Sequence, residues 1–262
     1  MLWHETHGAG APVVLLHGGP GSYDHTYFKP DFERLAEVAQ VVYLDLPGHG
    51  RSDHGDASAW TFAGAADEVR AFCDEAGLER PIVYGHSLGG FVALAYAIRH
   101  PEHPRALVLQ STTARFDVPE LVEEFRRRGG DDVAATAERV YVGDRAAVSD
   151  DEWARCYALF GPNVVTPEER ARIIVNPELN ARGLALMREF DVRDELGAIT
   201  CPTLVCVGEL DPVTTVANAR EIVAGMPAGA AGLEILAGAG HFPWKDVPER
   251  YWPLLADFVT SL

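Results

Sequence analysis

Basic residues are scarce in this chain: 22 lysines and arginines stand against 39 aspartates and glutamates, a formal net charge of −17. Such a surface repels phosphate backbones, which argues against a nucleic-acid partner. The one basic cluster, Arg126-Arg127-Arg128, sits among acids and reads as a solvated helix face. Cysteine is equally sparse. The four (Cys73, Cys156, Cys201, Cys206) show no framework spacing, and Cys201 and Cys206 lie around a predicted buried strand, where cysteine serves as a small hydrophobe. The histidines lack metal-ligand spacing too, so neither a metal nor a cofactor is expected. No apolar run approaches the roughly 20 residues that span a bilayer, and no membrane partner is expected. Met1 to His7 has neither the basic flank nor the apolar stretch of a secretion signal, which makes a cytoplasmic location the expectation.

What is present is an alternation. Apolar residues are 47% of the 262, enough for a substantial core, and the length suits one large α/β domain with an insertion, or two small domains. Residues 1–10 allow at most one short strand. Pro12 to His17 is a continuous apolar run of the kind buried on both faces of a parallel sheet. It ends in His17-Gly18-Gly19-Pro20-Gly21, a turn that no helix or strand contains. Tyr27 to Ala39 has helical spacing, with Phe28, Phe32, Leu35 and Val38 on one face. Val41 to Asp45 is the next strand, closed by a turn from Leu46 to Ser52 in which Arg51 and Ser52 act as braces. A helix over Ala65–Ala76 leads to the strand beginning at Pro81, and Leu107 to Ser111 is another buried strand.

From Thr113 to about Gly197 the rhythm breaks into a charged, mainly helical stretch punctuated by Pro119, Pro162, Pro167 and Pro177. It then resumes with a strand over Thr203–Val207, a helix over Val216–Ala224, a strand over Leu233–Leu236 and a last helix from Pro248 to Leu262. The expectation is an α/β fold: a mostly parallel sheet with helices on both faces. Residues 1–112 and 198–262 form its core, and 113–197 an inserted helical cap.

The densest chemical signal is Pro81-Ile82-Val83-Tyr84-Gly85-His86-Ser87-Leu88-Gly89-Gly90, followed by an apolar, Ala-rich helical stretch from Phe91 to Arg99. Strand, sharp turn and helix make Gly-x-Ser-x-Gly a nucleophile elbow. Its glycines keep side chains away from the adjoining strand and helix, and the turn lifts the Ser87 hydroxyl clear of the sheet. The backbone N–H of Leu88, at the helix N-terminus, can help hold an oxyanion. A serine nucleophile requires a base, and the base an orienting acid. Asp211 and His241 each fall just past the carboxyl end of a predicted parallel strand, where open α/β sheets carry their sites. The second oxyanion donor is expected in the loop after the first buried strand, at the N–H of Gly19. His17 is read as a brace whose ring bonds nearby backbone. His86, adjacent to the serine in sequence, points away from the hydroxyl and is taken as a pocket-floor residue that contacts substrate.

Together these residues resemble the α/β-hydrolase superfamily over nearly the whole chain, with the triad order Ser87, Asp211, His241. The His-Gly-Gly-Pro-Gly loop is similar to that of the proline iminopeptidases. That resemblance implies removal of an N-terminal residue, often proline, with acidic cap residues gripping the free amine. Asn176-Pro177-Glu178-Leu179 is similar to a segment that carries such a glutamate, so Glu178 is the candidate amine anchor, or else an ordinary helix-start carboxylate. The chain departs from that group where His86 and Leu88 flank the serine, where Pro212 follows Asp211, and in its short N-terminus, which has room for one strand where the family usually has two. Its Gly-His-Ser-Leu-Gly-Gly elbow is more similar to esterases and enol-lactonases.

The resulting expectation is a cofactor-free serine hydrolase cleaving an ester or amide bond of a small-molecule substrate through an acyl-enzyme. Carboxylesterase or lactonase and iminopeptidase both stay open. Alternatives are a ligand sensor on a hydrolase scaffold, or a carbon–carbon bond hydrolase or perhydrolase using the same triad. Dehalogenases and epoxide hydrolases of this fold carry Asp at the elbow, so Ser87 argues against both.

Overall fold

Seven strands make one sheet in a computed structural model that describes residues 1–143 and 147–262: β1 (His4–His7), β2 (Pro12–Leu16), β3 (Gln40–Leu44), β4 (Ile82–His86), β5 (Ala106–Gln110), β6 (Thr203–Gly208) and β7 (Ala231–Leu236). Their order across the sheet is β1-β3-β2-β4-β5-β6-β7. The edge strand β1 runs antiparallel to β3, and every other pairing is parallel. This is the mostly parallel α/β sheet expected from the alternating pattern. The apolar runs of β2 to β6 are buried almost throughout because helices cover both faces. At the other edge, β7 exposes Gly232 and Glu234 on alternate residues.

The helix α1 (Phe62–Glu75) starts where the Thr61 hydroxyl accepts the Gly64 N–H. The helix α2 (Leu88–Arg99) is apolar on all sides, and everything from Leu88 to Ala97 is buried, as befits a helix packed into the middle of a domain. One expectation fails. The stretch Tyr27–Ala39 is not a single amphipathic helix but two short 3₁₀ segments, His25–Phe28 and Asp31–Glu37. Pro30 has no N–H to give and forces Lys29 into extended backbone (φ −94°, ψ 144°), which breaks the turn. Phe28, Phe32 and Leu35 are still buried, whereas Val38 is 41% exposed.

Between β5 and β6 the described residues hold five α-helices, two short 3₁₀ segments (Ala158–Phe160 and Arg193–Ala198) and no strand of the sheet: α3 (Val118–Gly129), α4 (Asp131–Tyr141), α5 (Asp150–Tyr157), α6 (Pro167–Arg170) and α7 (Pro177–Met187). Local sequence sets their starts. Ser149 and Thr166 make capping boxes with Glu152 and Glu169, and Asp117 and Asn176 cap α3 and α7 with prolines in the first turn. An antiparallel bridge between Arg115 and Asp191 closes the base of this helical insertion. The arginine cluster lies on α3, paired with Glu123, Glu124 and Asp131. The chain finishes with α8 (Val216–Gly225), α9 (Pro243–Asp246) and α10 (Pro248–Thr260). Among the described residues no helix is long and apolar enough to cross a membrane.

Candidate active site

Ser87 sits between the last residue of β4 and the first of α2 with φ +53° and ψ −119°, backbone that a non-glycine residue adopts only under strain. The surrounding glycines explain how the chain tolerates it. A Cβ on Gly85 would overlap the Gly89 carbonyl; one on Gly89 would overlap the Leu16 carbonyl; one on Gly90 would overlap the Thr112 side chain. Thr112 also donates its hydroxyl to the Ser87 carbonyl at 2.9 Å, and the Ser87 N–H donates to Gln110 at 3.0 Å.

Asp211 and His241 meet above the same carboxyl ends of the strands. His241 Nδ1 lies 2.8 Å from Asp211 Oδ2, both side chains being buried. The aspartate is saturated with donors: Oδ1 accepts the N–H groups of Val213 (2.9 Å) and Thr214 (3.0 Å), and Oδ2 also accepts the Thr214 hydroxyl (2.7 Å). Burial works against its charge, but His241 and the Thr214 bonds outweigh burial and hold its carboxyl below the ordinary range. An acid fixed in this way keeps Nδ1 protonated and leaves Nε2 as the basic nitrogen. His241 is located from two sides. Its N–H donates to the Phe160 carbonyl of the insertion at 2.5 Å, and its carbonyl accepts from His86 Nε2 at 2.9 Å. Ser87 Oγ makes no hydrogen bond among the described residues; contacts of this type commonly close only when substrate is present.

The loop after β2 packs on the serine. A Cβ on Gly18 would touch Ser87 Cβ, and one on Gly19 would touch Leu88 Cδ2, at 3.4 and 3.3 Å. The hydrogen bonds of Gly18, Gly19 and Gly21 divide sharply. The Gly18 N–H donates to the Tyr27 hydroxyl (2.9 Å), and the Gly21 N–H donates to His49 Nε2 (2.9 Å). Pro20 has no N–H. The Gly19 N–H has no partner among the described residues, and neither has the N–H of Leu88. The carbonyl of the peptide carrying the Gly19 N–H is gripped by His17 Nδ1 at 2.6 Å, while His17 Nε2 accepts the Leu46 N–H at 3.1 Å. His17 is thus the backbone brace expected from the sequence.

His86 needs a correction as a substrate contact. It is 1% exposed, and both ring nitrogens are committed: Nδ1 accepts from the Tyr27 hydroxyl at 2.7 Å, and Nε2 donates to the His241 carbonyl. Burial, reinforced by the neighbouring His241, pushes its basicity far below that of a free histidine, so it stays neutral. A chain of bonds therefore runs from the Gly18 N–H through Tyr27 and His86 to the backbone of His241. Glu178 lies exposed in the first turn of α7, with no hydrogen bond or ion pair among the described residues. Its neighbours Asn176 and Asn180 touch the loop after β2 instead. Tyr27, His49, Thr214, Phe160 and these two asparagines escaped sequence reasoning. Only Thr214, three residues after Asp211, carried a local signal, since a hydroxyl there can bond back to the aspartate.

Asp24, His25 and Asp45 also cluster, with candidate ligand atoms within 4.8 Å of one another. Their carboxylate oxygens are already taken. Asp45 accepts from the N–H of His25 and of Arg51 and pairs with His25 Nδ1 at 2.7 Å; Asp24 accepts from the N–H of Thr26 and of Ile174. The cluster ties three loops together.

With strand order, elbow and paired His241–Asp211 in hand, comparison with known proteins agrees. The sequence profile described as the alpha/beta hydrolase fold matches residues 11–246, and the chain belongs to that family. A pimeloyl-(acyl-carrier protein) methyl ester esterase of Photobacterium profundum is 29% identical, covering 99% of this chain and 98% of its own. A proline iminopeptidase of Heyndrickxia coagulans is 25% identical over 98% of this chain and 93% of its own. Among solved structures, a thermophilic esterase from Thermogutta terrifontis is 28% identical, with a TM-score of 0.74, covering 99% of this chain and 93% of that one. The protein is an α/β hydrolase, and its relatives include esterases and iminopeptidases.

Proposed function

We propose that the protein is a serine hydrolase that cleaves a carboxylic ester or lactone of a small molecule through an acyl-enzyme. The observation carrying this reading is the unpaired Gly19 N–H beside Ser87, between the engaged N–H groups of Gly18 and Gly21. Ser87 Oγ attacks the acyl carbon while His241 Nε2 takes its proton, and Asp211 stabilises the imidazolium. The developing oxyanion receives the N–H groups of Gly19 and Leu88. His241 then protonates the departing alkoxide, and water repeats the sequence to release the acid. No metal or cofactor enters the scheme.

An ester or lactone is favoured over an N-terminal amide because Glu178 stands in solvent in the first turn of α7, while its neighbours Asn176 and Asn180 are the residues that meet the loop after β2. The test compares a short acyl nitrophenyl ester with a prolyl arylamide, using wild type and Ser87→Ala. Ester turnover that disappears in Ser87→Ala, with no arylamide cleavage, is expected. Serine-dependent arylamide cleavage would transfer the assignment to an iminopeptidase, and an undiminished rate in Ser87→Ala would overturn the mechanism.

A further inference from the structure

The helical insertion reaches across to the loop after β2 and grips it. Asn180 Nδ2 donates to the Pro20 carbonyl at 2.7 Å, and the Asn176 N–H donates to the Gly21 carbonyl at 2.7 Å. The Pro20–Gly21 peptide is held at both ends, since its N–H donates to His49 Nε2 at 2.9 Å from the core side. The fit is steric as well. A Cβ on Gly21 would overlap the Asn176 carbonyl, and a Cβ on Gly183 would overlap the Pro20 ring. Leu179, fully buried, packs toward Gly48, and Asn176 Nδ2 bonds the Gly48 carbonyl at 2.9 Å. Three residues along one face, the N-cap Asn176 together with Asn180 and Gly183 of α7, therefore meet the segment that carries Gly19.

We propose that Asn180 is a positioning residue for the oxyanion hole: with Gly183 it lets the insertion press the Gly19 N–H into place from the side opposite His17 and His49. This rests on the reading of Gly19 as an oxyanion donor. The chemistry explains why rigidity is needed there. A backbone donor lowers the barrier only if it already points at the position the oxyanion will occupy, because turning it during reaction costs part of what it contributes. The loop Gly18–Gly21 has little side chain of its own to pack, so its shape is imposed from outside. His17, Tyr27 and His49 do so from the core, and Asn180 does so from the helical insertion. The clamp thereby makes oxyanion stabilisation depend on how the insertion is seated.

The experiment compares Asn180→Ala and Gly183→Ala with wild type in ester hydrolysis and in inhibition by an alkylboronic acid. The boronate adduct on Ser87 places a tetrahedral oxygen in the oxyanion position. Ala181→Gln, on the exposed face of the same helix, is the control and should match wild type. Both test variants should lose about 10-fold or more in kcat, below the roughly 10²–10³ of deleting a donor outright. Boronate affinity should weaken by a similar factor, with KM changed less than about 2-fold; the melting temperature should be little altered in Asn180→Ala and lowered by a few degrees in Gly183→Ala, where the added methyl meets the Pro20 ring. A merely structural role would lower the melting temperature and leave boronate affinity per folded molecule unchanged, and that result overturns the proposal. So does a loss confined to KM. If Asn180→Ala fails to fold, Asn180→Asp, which keeps the shape but loses the donor when ionised, carries the same expectations. A wild type indifferent to boronate, or an active Ser87→Ala, would mean that the oxyanion reading itself has failed. A serine-dependent, boronate-sensitive wild type with unaffected Asn180 variants would remove the clamp alone.

Discussion

The loop after β2 and the loop after β7 both leave the sheet at the carboxyl ends of its parallel strands, and both are held by histidine, but they spend the imidazole differently. In the first, His17 uses Nδ1 on the Gly18 carbonyl and Nε2 on the Leu46 N–H, and His49, reaching in from the turn after β3, uses Nδ1 on the Pro47 carbonyl and Nε2 on the Gly21 N–H. In the second, His241 gives Nδ1 to a buried aspartate, and Nε2 has no hydrogen bond among the described residues. A ring with two backbone partners is locked in one tautomer and can neither gain nor lose a proton without breaking a bond. A ring with one anionic partner and one open nitrogen can cycle. Among His17, His49, His86 and His241 the difference separates braces from base, with His86 on the side of the braces; His25, whose Nδ1 also meets a buried aspartate, is set apart from the base only by its place in the fold.

The comparison breaks most visibly at His241. His241→Gln should lower kcat/KM by about 10⁴-fold or more, since members of a triad act as a unit, with the melting temperature shifted by only a few degrees. Retention of more than a tenth of the activity would place the base elsewhere.

A smaller effect sharpens the other side. Burial, aided by the nearby His17, pushes the basicity of His49 down to about 3, and burial likewise lowers that of His17 and His86. Below about pH 6.5 the unfolded chain takes up protons that the folded one refuses, so stability rises with pH through that interval. Acidification from about 6.5 toward 3 should therefore cost stability, up to a few kcal/mol from His49 alone on an order-of-magnitude basis. Urea midpoints measured across this range should show it. His49→Gln should be less stable at pH 8 by about 1–3 kcal/mol, through loss of a fitted buried bond, yet should show a shallower acid decline. An unchanged slope would mean that His49 is not among the groups that refuse protons.

What the sequence made legible follows the same division. The buried strands could be read because each is a short apolar run whose neighbours are turns, and Ser87 because the elbow's requirements fall within six consecutive residues, Gly85 to Gly90. His17 could be read as a brace because its partners are close by in the loop it supports. The helix expected over Tyr27–Ala39 failed at Pro30, where a local rule should have outweighed the spacing of Phe28, Phe32 and Leu35. The supports were hidden for a different reason. Tyr27 meets His86 across 59 residues, and Asn180 meets Pro20 across 160, so neither contact leaves a periodicity or a spacing. In Asn176-Pro177-Glu178-Leu179 the charge is the conspicuous feature, whereas the fold uses the backbone of Asn176 and the amide of Asn180, and exposes the glutamate.

The central claim is that Ser87 is the nucleophile, activated by the His241–Asp211 pair. It is tested most directly by treating the folded protein with an alkyl fluorophosphonate and locating the adduct by peptide mass spectrometry. The account predicts one phosphonyl group per chain, on Ser87, formed rapidly in wild type, at least about 10³-fold more slowly in His241→Gln, and not at all in Ser87→Ala. Labelling at another residue, or labelling of Ser87 at an equal rate without His241, would contradict it.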